Sequence, residues 1–288
     1  MNHSTVKKIT QGIAFNVFRT LSIILVAILF SILAFIVFRG AHTISWDFIT
    51  QMPEEGMTKG GIFPAIVGTL SLVAGSMLIA FPLGVCSGIY INEYAPENAF
   101  KRFVKLMTNN LAGVPSIVFG LFGMSLFVNT LKFGDSIIAG SLTLGLLALP
   151  VIIRVTEEAL KSIDKTYREA SYALGATKLQ TVRKVVLPMA MPNIITGLIL
   201  SIGRVSGETA PILFTVAAYF LPKLPSSMFD QVMALPYHLY VLSTSGTNME
   251  ESRGMAYGTA LVLIIIVLIL NLTANLIRHF LMKKIKQK

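Results

Sequence analysis

The chain has 288 residues, of which 54% are hydrophobic and 13% are charged, and its mean hydropathy is +0.72. This composition excludes a soluble globular protein and indicates an integral membrane protein. The net charge of +10 would indicate nucleic-acid binding only if the basic residues formed one soluble surface.

Six segments are apolar and long enough to cross about 30 Å of hydrocarbon. They cover residues 17–38, 62–91, 104–129, 136–156, 189–220 and 255–279. The first is too long for a signal peptide and lacks a small-residue cleavage site after it, so we expect it to be retained. The sequence therefore predicts an all-α integral membrane protein, a six-span helical bundle that forms a single domain over residues 1–288.

The basic residues are distributed unevenly between the links that join these spans. If the N-terminus is cytoplasmic, most of them fall on the cytoplasmic side. Those that fall outside are Arg39, Lys59, Lys132, Lys223 and Arg253. By the positive-inside rule, this asymmetry predicts a multi-pass protein with both termini in the cytoplasm. The basic excess then serves orientation and contact with anionic membrane lipid, and no nucleic acid partner is expected.

The cytoplasmic loop at residues 157–188 contains the charged stretch REASYALGATKLQTVRKVVLP. Its first part has the spacing of a short amphipathic helix. The residues on the apolar face are Tyr167, Ala170, Ala173 and Leu174. A glycine that suits a left-handed helix cap follows at Gly175, and Thr177 with Gln180 has the spacing of a capping box that begins a second helix.

A helix pair with one apolar face is suited to inserting into a cleft on a cytoplasmic protein. A loop that folds back against the bundle would show the same pattern, so the residues alone leave both interpretations open.

The same stretch resembles the EAA loop of ABC importer permeases. The matching residues are Glu169, Ala170, Ser171, Gly175, Leu187 and Pro188. The family pattern is E-A-A, three residues, G, nine residues and I-x-L-P, and the departures are Ser171 for alanine and Val185 for isoleucine. The resemblance implies the fold of these permeases, with a cytoplasmic coupling-helix loop that docks on an ATP-hydrolysing subunit.

Other motifs resemble the permeases of phosphate-specific import systems, and in particular the second of their two paralogous subunits. These motifs are GGIFPAIVGTL (60–70), GVPSIVFGLFG (113–123), GETAPILFT (207–215) and RGMAYGTALVL (253–263). The resemblance implies a bacterial plasma-membrane protein that forms a heterodimer with a paralogous permease. It further implies two ATPase subunits and an extracytoplasmic phosphate-binding protein as partners.

The chain carries no sequence for ATP chemistry of its own. A P-loop requires Gly-Lys followed by Ser or Thr, and the sequence contains no Gly-Lys dipeptide. The four histidines have no spacing that suggests a metal site, and no catalytic residue set is evident. We therefore expect a transport subunit without a cofactor, with ATP and Mg bound by the partner ATPase.

Arg204 and Glu208 lie inside the predicted fifth span, where charged residues are costly and usually face an aqueous path or a partner. Arg204 would lie about 22 Å along a helix that begins at Met189. A guanidinium can bind two phosphate oxygens at once, so both residues are candidates for the substrate pathway. A buried structural ion pair is the alternative, since residues four apart share one face of a helix.

The sequence thus predicts a permease subunit of an ATP-driven importer for inorganic phosphate, which forms the pathway with a paralogous permease. An importer for another small anion or solute is the first alternative. A membrane scaffold or membrane-embedded enzyme whose loop recruits a soluble protein is the second.

Overall fold

The computed structural model describes residues 3–245 and 249–286, which are mainly helical. The α-helices are α1 (His3–Gly40), α2 (Trp46–Thr50), α3 (Phe63–Ile89), α4 (Ala99–Leu111), α5 (Ser116–Gly123), α6 (Ile137–Lys161), α7 (Lys165–Ala173), α8 (Lys178–Thr181), α9 (Leu187–Ser206), α10 (Ala210–Leu213), α11 (Leu235–Thr244) and α12 (Met249–Lys286). Wider π-helical turns extend α3, α5 and α8 over Tyr90–Tyr94, Met124–Thr130 and Val182–Val186. Two short antiparallel strands, β1 (Pro53–Glu54) and β2 (Lys59–Gly60), flank a 3-10 turn.

The centre of the bundle is formed by α3, α6 and α9. Apolar side chains from all three helices meet there, and they include Leu72, Ile152 and Val205. Small residues let α3 and α6 approach closely, because a Cβ at Gly84 would lie 2.6 Å from Cγ2 of Ile152. Gly84 and Gly88, four residues apart on α3, therefore both serve the packing of α3 on α6.

The outer helices pack on this centre to different extents. α12 packs along α9, and α11 packs against α12 and α3. Within the described residues, α1 packs on α12 near its C-terminal end, where Gly40 lies against Tyr257 and Leu261. Among the described residues, five helices are long and apolar enough to cross a membrane, and a bent pair provides a sixth candidate.

That bent pair corrects the predicted third span. Residues 104–129 do not form one straight helix, because α4 and the segment Ser116–Thr130 are inclined at 103° to each other. The break lies at residues 112–115, where Pro115 lacks an N–H and disfavours helical geometry at Val114. The segment after Pro115, Ser116–Thr130, therefore runs in a different direction from α4.

The predicted fifth span at residues 189–220 is wrong in its second half. The helix begins earlier, at Lys178, and ends at Ser206 with Gly207 as its C-cap. Pro211 follows closely, and the chain then forms only the short helix α10 before an irregular segment. Arg204 accordingly lies in the last turn of α9, and Glu208 lies beyond the helix.

The longest helix outside the predicted spans is α11. α11 lies within the link between the last two spans and inserts between α3 and α12. His238 is fully buried there, although a histidine in a loop is usually exposed. Its burial follows from the apolar residues Leu235, Val241 and Leu242, which join the second core cluster.

Candidate functional site

The hairpin (residues 164–188) joins α6 to α9, and its first helix has a well-formed start. Oδ1 of Asp164 accepts hydrogen bonds from the backbone N–H of Thr166 at 2.9 Å and from its hydroxyl at 2.8 Å. These bonds stabilise the carboxylate and hold the pKa of Asp164 below its usual value. Asp164 thereby fixes the point at which α7 begins.

The turn of the hairpin has the predicted structure. Gly175 has a φ of 78°, in the left-handed region, and its N–H donates to the carbonyl of Tyr172 at 2.9 Å. The N–H of Ala176 donates to the carbonyl of Ser171 at 3.2 Å, which completes a Schellman motif. The capping box of Thr177 and Gln180 is also confirmed, because both of its reciprocal hydrogen bonds are present.

The apolar side chains of the turn face away from the bundle. Leu174 is 89% exposed and Leu179 is 66% exposed, and no residue of α7 is buried. The base of the hairpin behaves differently, since Val186 packs into a cluster with Leu160 and Ala190. The structure therefore holds the base of the hairpin against the bundle and leaves an apolar tip exposed.

Arg168 connects α7 to the C-terminal end of α6 and to the π-helical turn at the end of α3. Its Nη2 donates to Oε1 of Glu93 at 2.7 Å and to the carbonyl of Leu160 at 2.9 Å. Its Nη1 donates to the carbonyl of Ile163 at 2.8 Å. The side chains of Arg168 and Glu93 are 16% and 6% exposed, so this ion pair is largely removed from water. The guanidinium also meets carbonyls at and just after the C-terminal end of α6, where a cation is favourable.

Two further contacts hold the second helix of the hairpin. The hydroxyls of Ser171 and Thr181 are 2.9 Å apart and join α7 to α8. The ammonium group of Lys178 lies 5.2 Å from the centre of the Tyr94 ring, within the range of a cation–π contact. Both halves of the hairpin are thus linked to the π-helical turn at the end of α3.

The EAA-like residues occupy different parts of this hairpin. Glu169, Ala170 and Gly175 are exposed, and Ser171 is half-buried by its contact with Thr181. Leu187 and Pro188 are half-buried at the start of α9, where a proline fits the first helical turn. The motif therefore spans the exposed tip and the root of the hairpin.

Sequence reasoning missed Glu93 and Tyr94, and it gave Arg168 no role. Glu93 and Arg168 are 75 residues apart, so no local spacing connects them. The available signal was the position of Glu93, an acidic residue directly after an apolar span on the side where basic residues accumulate.

Arg204 and Glu208 lie at the opposite end of α9. Nε of Arg204 is 3.6 Å from Oε1 of Glu208, which is an ion pair without a short hydrogen bond. The side chains are 35% and 18% exposed, respectively. Among the residues that the structure describes, the Arg204 guanidinium makes no hydrogen bond, so its donors remain available to an anion.

One nearly continuous helix connects the two regions. The segment Lys178–Ser206 contains 29 residues and extends for about 43 Å. It begins at the second half of the hairpin and ends in the turn that contains Arg204. The hairpin and the Arg204 end are therefore parts of one helical segment with no loop between them.

Comparison with known proteins agrees with this architecture. The family model for the binding-protein-dependent transport system inner membrane component matches residues 80–287. The chain is 37% identical to the probable ABC transporter permease protein YqgI of Bacillus subtilis, over 97% of this chain and 98% of that protein. It is 42% identical to the phosphate transport system permease protein PstA 1 of Mycobacterium tuberculosis, over 79% of this chain and 73% of that protein.

A solved structure shares the fold. A bacterial ABC transporter involved in the import of the acidic polysaccharide alginate contains a chain that superposes with a TM-score of 0.69. The two are 16% identical, and the alignment covers 96% of this chain and 99% of that one. With the family match over residues 80–287, these findings place the chain in the family of binding-protein-dependent transport system inner membrane components, the permeases of ABC importers.

Proposed function

We propose that this chain is the permease subunit of an ATP-driven importer of inorganic phosphate and forms the pathway with a paralogous permease. The observation that carries the proposal is the 42% identity to a phosphate transport system permease over 229 residues. The B. subtilis relative is named only as a permease, and an importer for another small anion remains the second candidate.

The hairpin supplies the proposed attachment for ATPase subunits, which bind ATP and Mg. Its tip exposes Leu174 and Leu179, and exposed apolar side chains of this size favour burial against a partner. Its base is fixed by the Arg168–Glu93 pair, so a force on the tip passes into α3 and α6. Two such permeases would engage two ATPase subunits, one for each hairpin.

Arg204 supplies the proposed contact with the anion. It lies at the end of α9 that faces away from the hairpin, where a phosphate delivered by an extracytoplasmic binding protein would enter. Glu208 balances its charge when no anion is present and leaves the terminal guanidinium nitrogens available. A planar guanidinium with free donors suits bidentate binding of two phosphate oxygens.

Uptake by sealed vesicles that contain the purified complex tests the function directly. We expect ATP-dependent accumulation of labelled phosphate that is reduced by unlabelled phosphate and unaffected by sulfate or molybdate. Vesicles without internal ATP serve as the control. Transport of sulfate or molybdate in place of phosphate would support the second candidate, and the absence of any uptake would favour a scaffold or an enzyme.

A further inference from the structure

The helix α4 presents an apolar face that no part of the described chain covers. The side chains on this face share the spacing of one helical stripe. They are Phe100, Phe103, Met107 and Leu111, which are 67%, 56%, 43% and 40% exposed. A face of four large apolar side chains is costly in water, so it requires an apolar environment.

The opposite face of α4 is fixed by charged contacts. Nζ of Lys101 donates to Oε1 of Glu97 at 2.6 Å and to the carbonyl of Ala95 at 3.2 Å, and the side chain is only 6% exposed. Nζ of Lys105 lies 2.5 Å from Oε1 of Glu157 on α6. Because these lysines turn inward, the apolar face of α4 must point away from the protein.

The geometry of the bend places α4 along the membrane surface. The segment Ser116–Thr130 follows α4 at an angle of 103°, so α4 lies nearly parallel to the membrane plane when this segment crosses it. The segment has 15 residues and a length of about 22 Å, short of the roughly 30 Å hydrocarbon core. A helix seated about 5–10 Å within the headgroup and acyl boundary would make up the difference.

The charge of α4 indicates which kind of membrane surface the helix would bind. The helix contains three basic residues and no acidic residue. Lys101 and Lys105 are already paired, whereas the exposed Arg102 makes no ion pair within the described part of the chain. Arg102 lies on the polar side of α4, on the same stripe as Asn109, where a free cation at headgroup level matches an anionic phospholipid surface. The following helix α5 also exposes apolar residues such as Ile117 and Leu121.

We propose that α4 is an in-plane anchor on the leaflet at the hairpin end, with its apolar face in the acyl boundary and Arg102 at anionic phospholipid headgroups. The Lys105–Glu157 pair connects this anchor to α6 one turn before that helix ends. The bilayer would therefore help to hold the end of α6 from which the hairpin projects.

Spin labelling of the full chain in its purified complex tests the proposal. In a Cys86→Ser background, single cysteines introduced as Phe103→Cys and Met107→Cys would carry a nitroxide in vesicles that contain phosphatidylglycerol. We expect frequent collisions with oxygen and few with a water-soluble nickel chelate at both positions. Asn109→Cys, an exposed site on the polar side of α4, is the matched control and should show the reverse.

Two results would overturn the lipid assignment. Ready access of nickel to positions 103 and 107 would show that this face meets water. An immobilised label that collides with neither reagent would show that another protein subunit covers it. The label at position 103 should also lie deeper in vesicles with phosphatidylglycerol than with phosphatidylcholine alone, and Arg102→Gln should remove that difference. Equal depth in both lipids would contradict the role of anionic headgroups.

Discussion

At the residue scale, Arg204 and Glu208 show how a charged pair can serve an anion pathway. The pair has a separation of 3.6 Å and lies at a helix end that retains access to solvent. Its position lowers the cost of the charge relative to the middle of a span, because a long side chain near a helix end can reach the interface. A charge at this helix end therefore needs less stabilisation by an ion pair than a charge in the middle of a span, which weakens the case for a purely structural pair.

The double variant Arg204→Gln with Glu208→Gln separates the two roles. Removing both charges leaves neither unpaired, so we expect normal amounts of complex in the membrane. Phosphate uptake should fall to near background, because a charge-assisted hydrogen bond contributes about 1.5–3 kcal/mol, or roughly 10- to 100-fold in binding. Arg204→Lys should also be impaired, since it keeps the charge and loses the planar fork.

Arg39→Gln provides the matched control for this experiment. Arg39 also lies in the last turn of an apolar helix, but it contacts Phe35 on the peripheral helix α1. We expect uptake by this variant to remain close to that of the unmodified protein. Full uptake by the double variant would assign Arg204 and Glu208 a structural role.

The Arg168–Glu93 pair leads to a prediction about the hairpin. Arg168→Gln leaves the carboxylate of Glu93 buried without its partner, which costs about 3–5 kcal/mol in soluble proteins. We expect a lower melting temperature of the complex and ATP hydrolysis that no longer depends on substrate. Adding Glu93→Gln should restore part of the stability, because no buried charge then remains unpaired.

The exposed pair of Arg154 and Glu158 is the control, with side chains that are 67% and 61% exposed. Arg154→Gln should change stability by only about 0.2–1 kcal/mol. If Arg168→Gln lowers the melting temperature no more than Arg154→Gln does, the Arg168–Glu93 ion pair does not fix the hairpin to the bundle.

At the scale of elements, the tip of the hairpin depends on the left-handed conformation of Gly175. Gly175→Val should cost about 1–3 kcal/mol, because a β-branched residue is strained at a φ of 78°. Among the described residues other than its chain neighbours, no atom lies within 4 Å of the added Cβ, so the effect comes from the backbone and not from a steric clash. We expect weaker co-purification of the ATPase subunit and reduced stimulation of its activity.

Gly134→Val isolates this effect from a general loss of stability. Gly134 has a φ of 65° and also has open space around the added Cβ, but it lies before α6 at the end remote from the hairpin. The Gly134→Val variant should have a similar backbone strain and should keep the ATPase subunit bound. Equal loss of that subunit in both variants, or in neither, would contradict a docking role for the hairpin.

The hairpin was predictable from sequence because its signals are local. Gly175, Thr177 and Gln180 act through hydrogen bonds within a few residues, and the structure contains those bonds. The ion pair between Glu93 and Arg168 was not predictable in this way, because it depends on how α3 and α6 pack. The spacing of apolar residues does not specify which polar groups two packed helices bring together.

The ends of the spans were harder to predict for a different reason. Hydropathy averages over many residues, so it merges α4 and the segment after Pro115 into one predicted span despite the bend between them. The same averaging extended the fifth span past Gly207, although glycine and proline end the helix there. Apolar composition shows that a segment avoids water, but it does not specify whether the segment crosses, turns or lies along the membrane.

At the scale of the whole molecule, α9 separates two surfaces that should lie on opposite sides of the membrane. The hairpin precedes α9, and the segment at residues 214–234 follows its other end. The hairpin side carries most of the basic residues near the spans, and cytoplasmic surfaces are enriched in such residues. The orientation is thus predicted from charge, independently of any similarity to other proteins.

Accessibility of introduced cysteines tests this orientation. In a Cys86→Ser background, Lys178→Cys lies on the hairpin and Lys223→Cys lies on the exposed segment beyond α9. A membrane-impermeant maleimide should label position 223 in intact cells, and it should label position 178 only after the membrane is opened. Because one α9 helix of about 30 Å separates these surfaces, the two positions must respond oppositely. Labelling of position 178 in intact cells would show that the predicted orientation is inverted. The hairpin would then lie outside the cell, where no cytoplasmic ATPase could reach it.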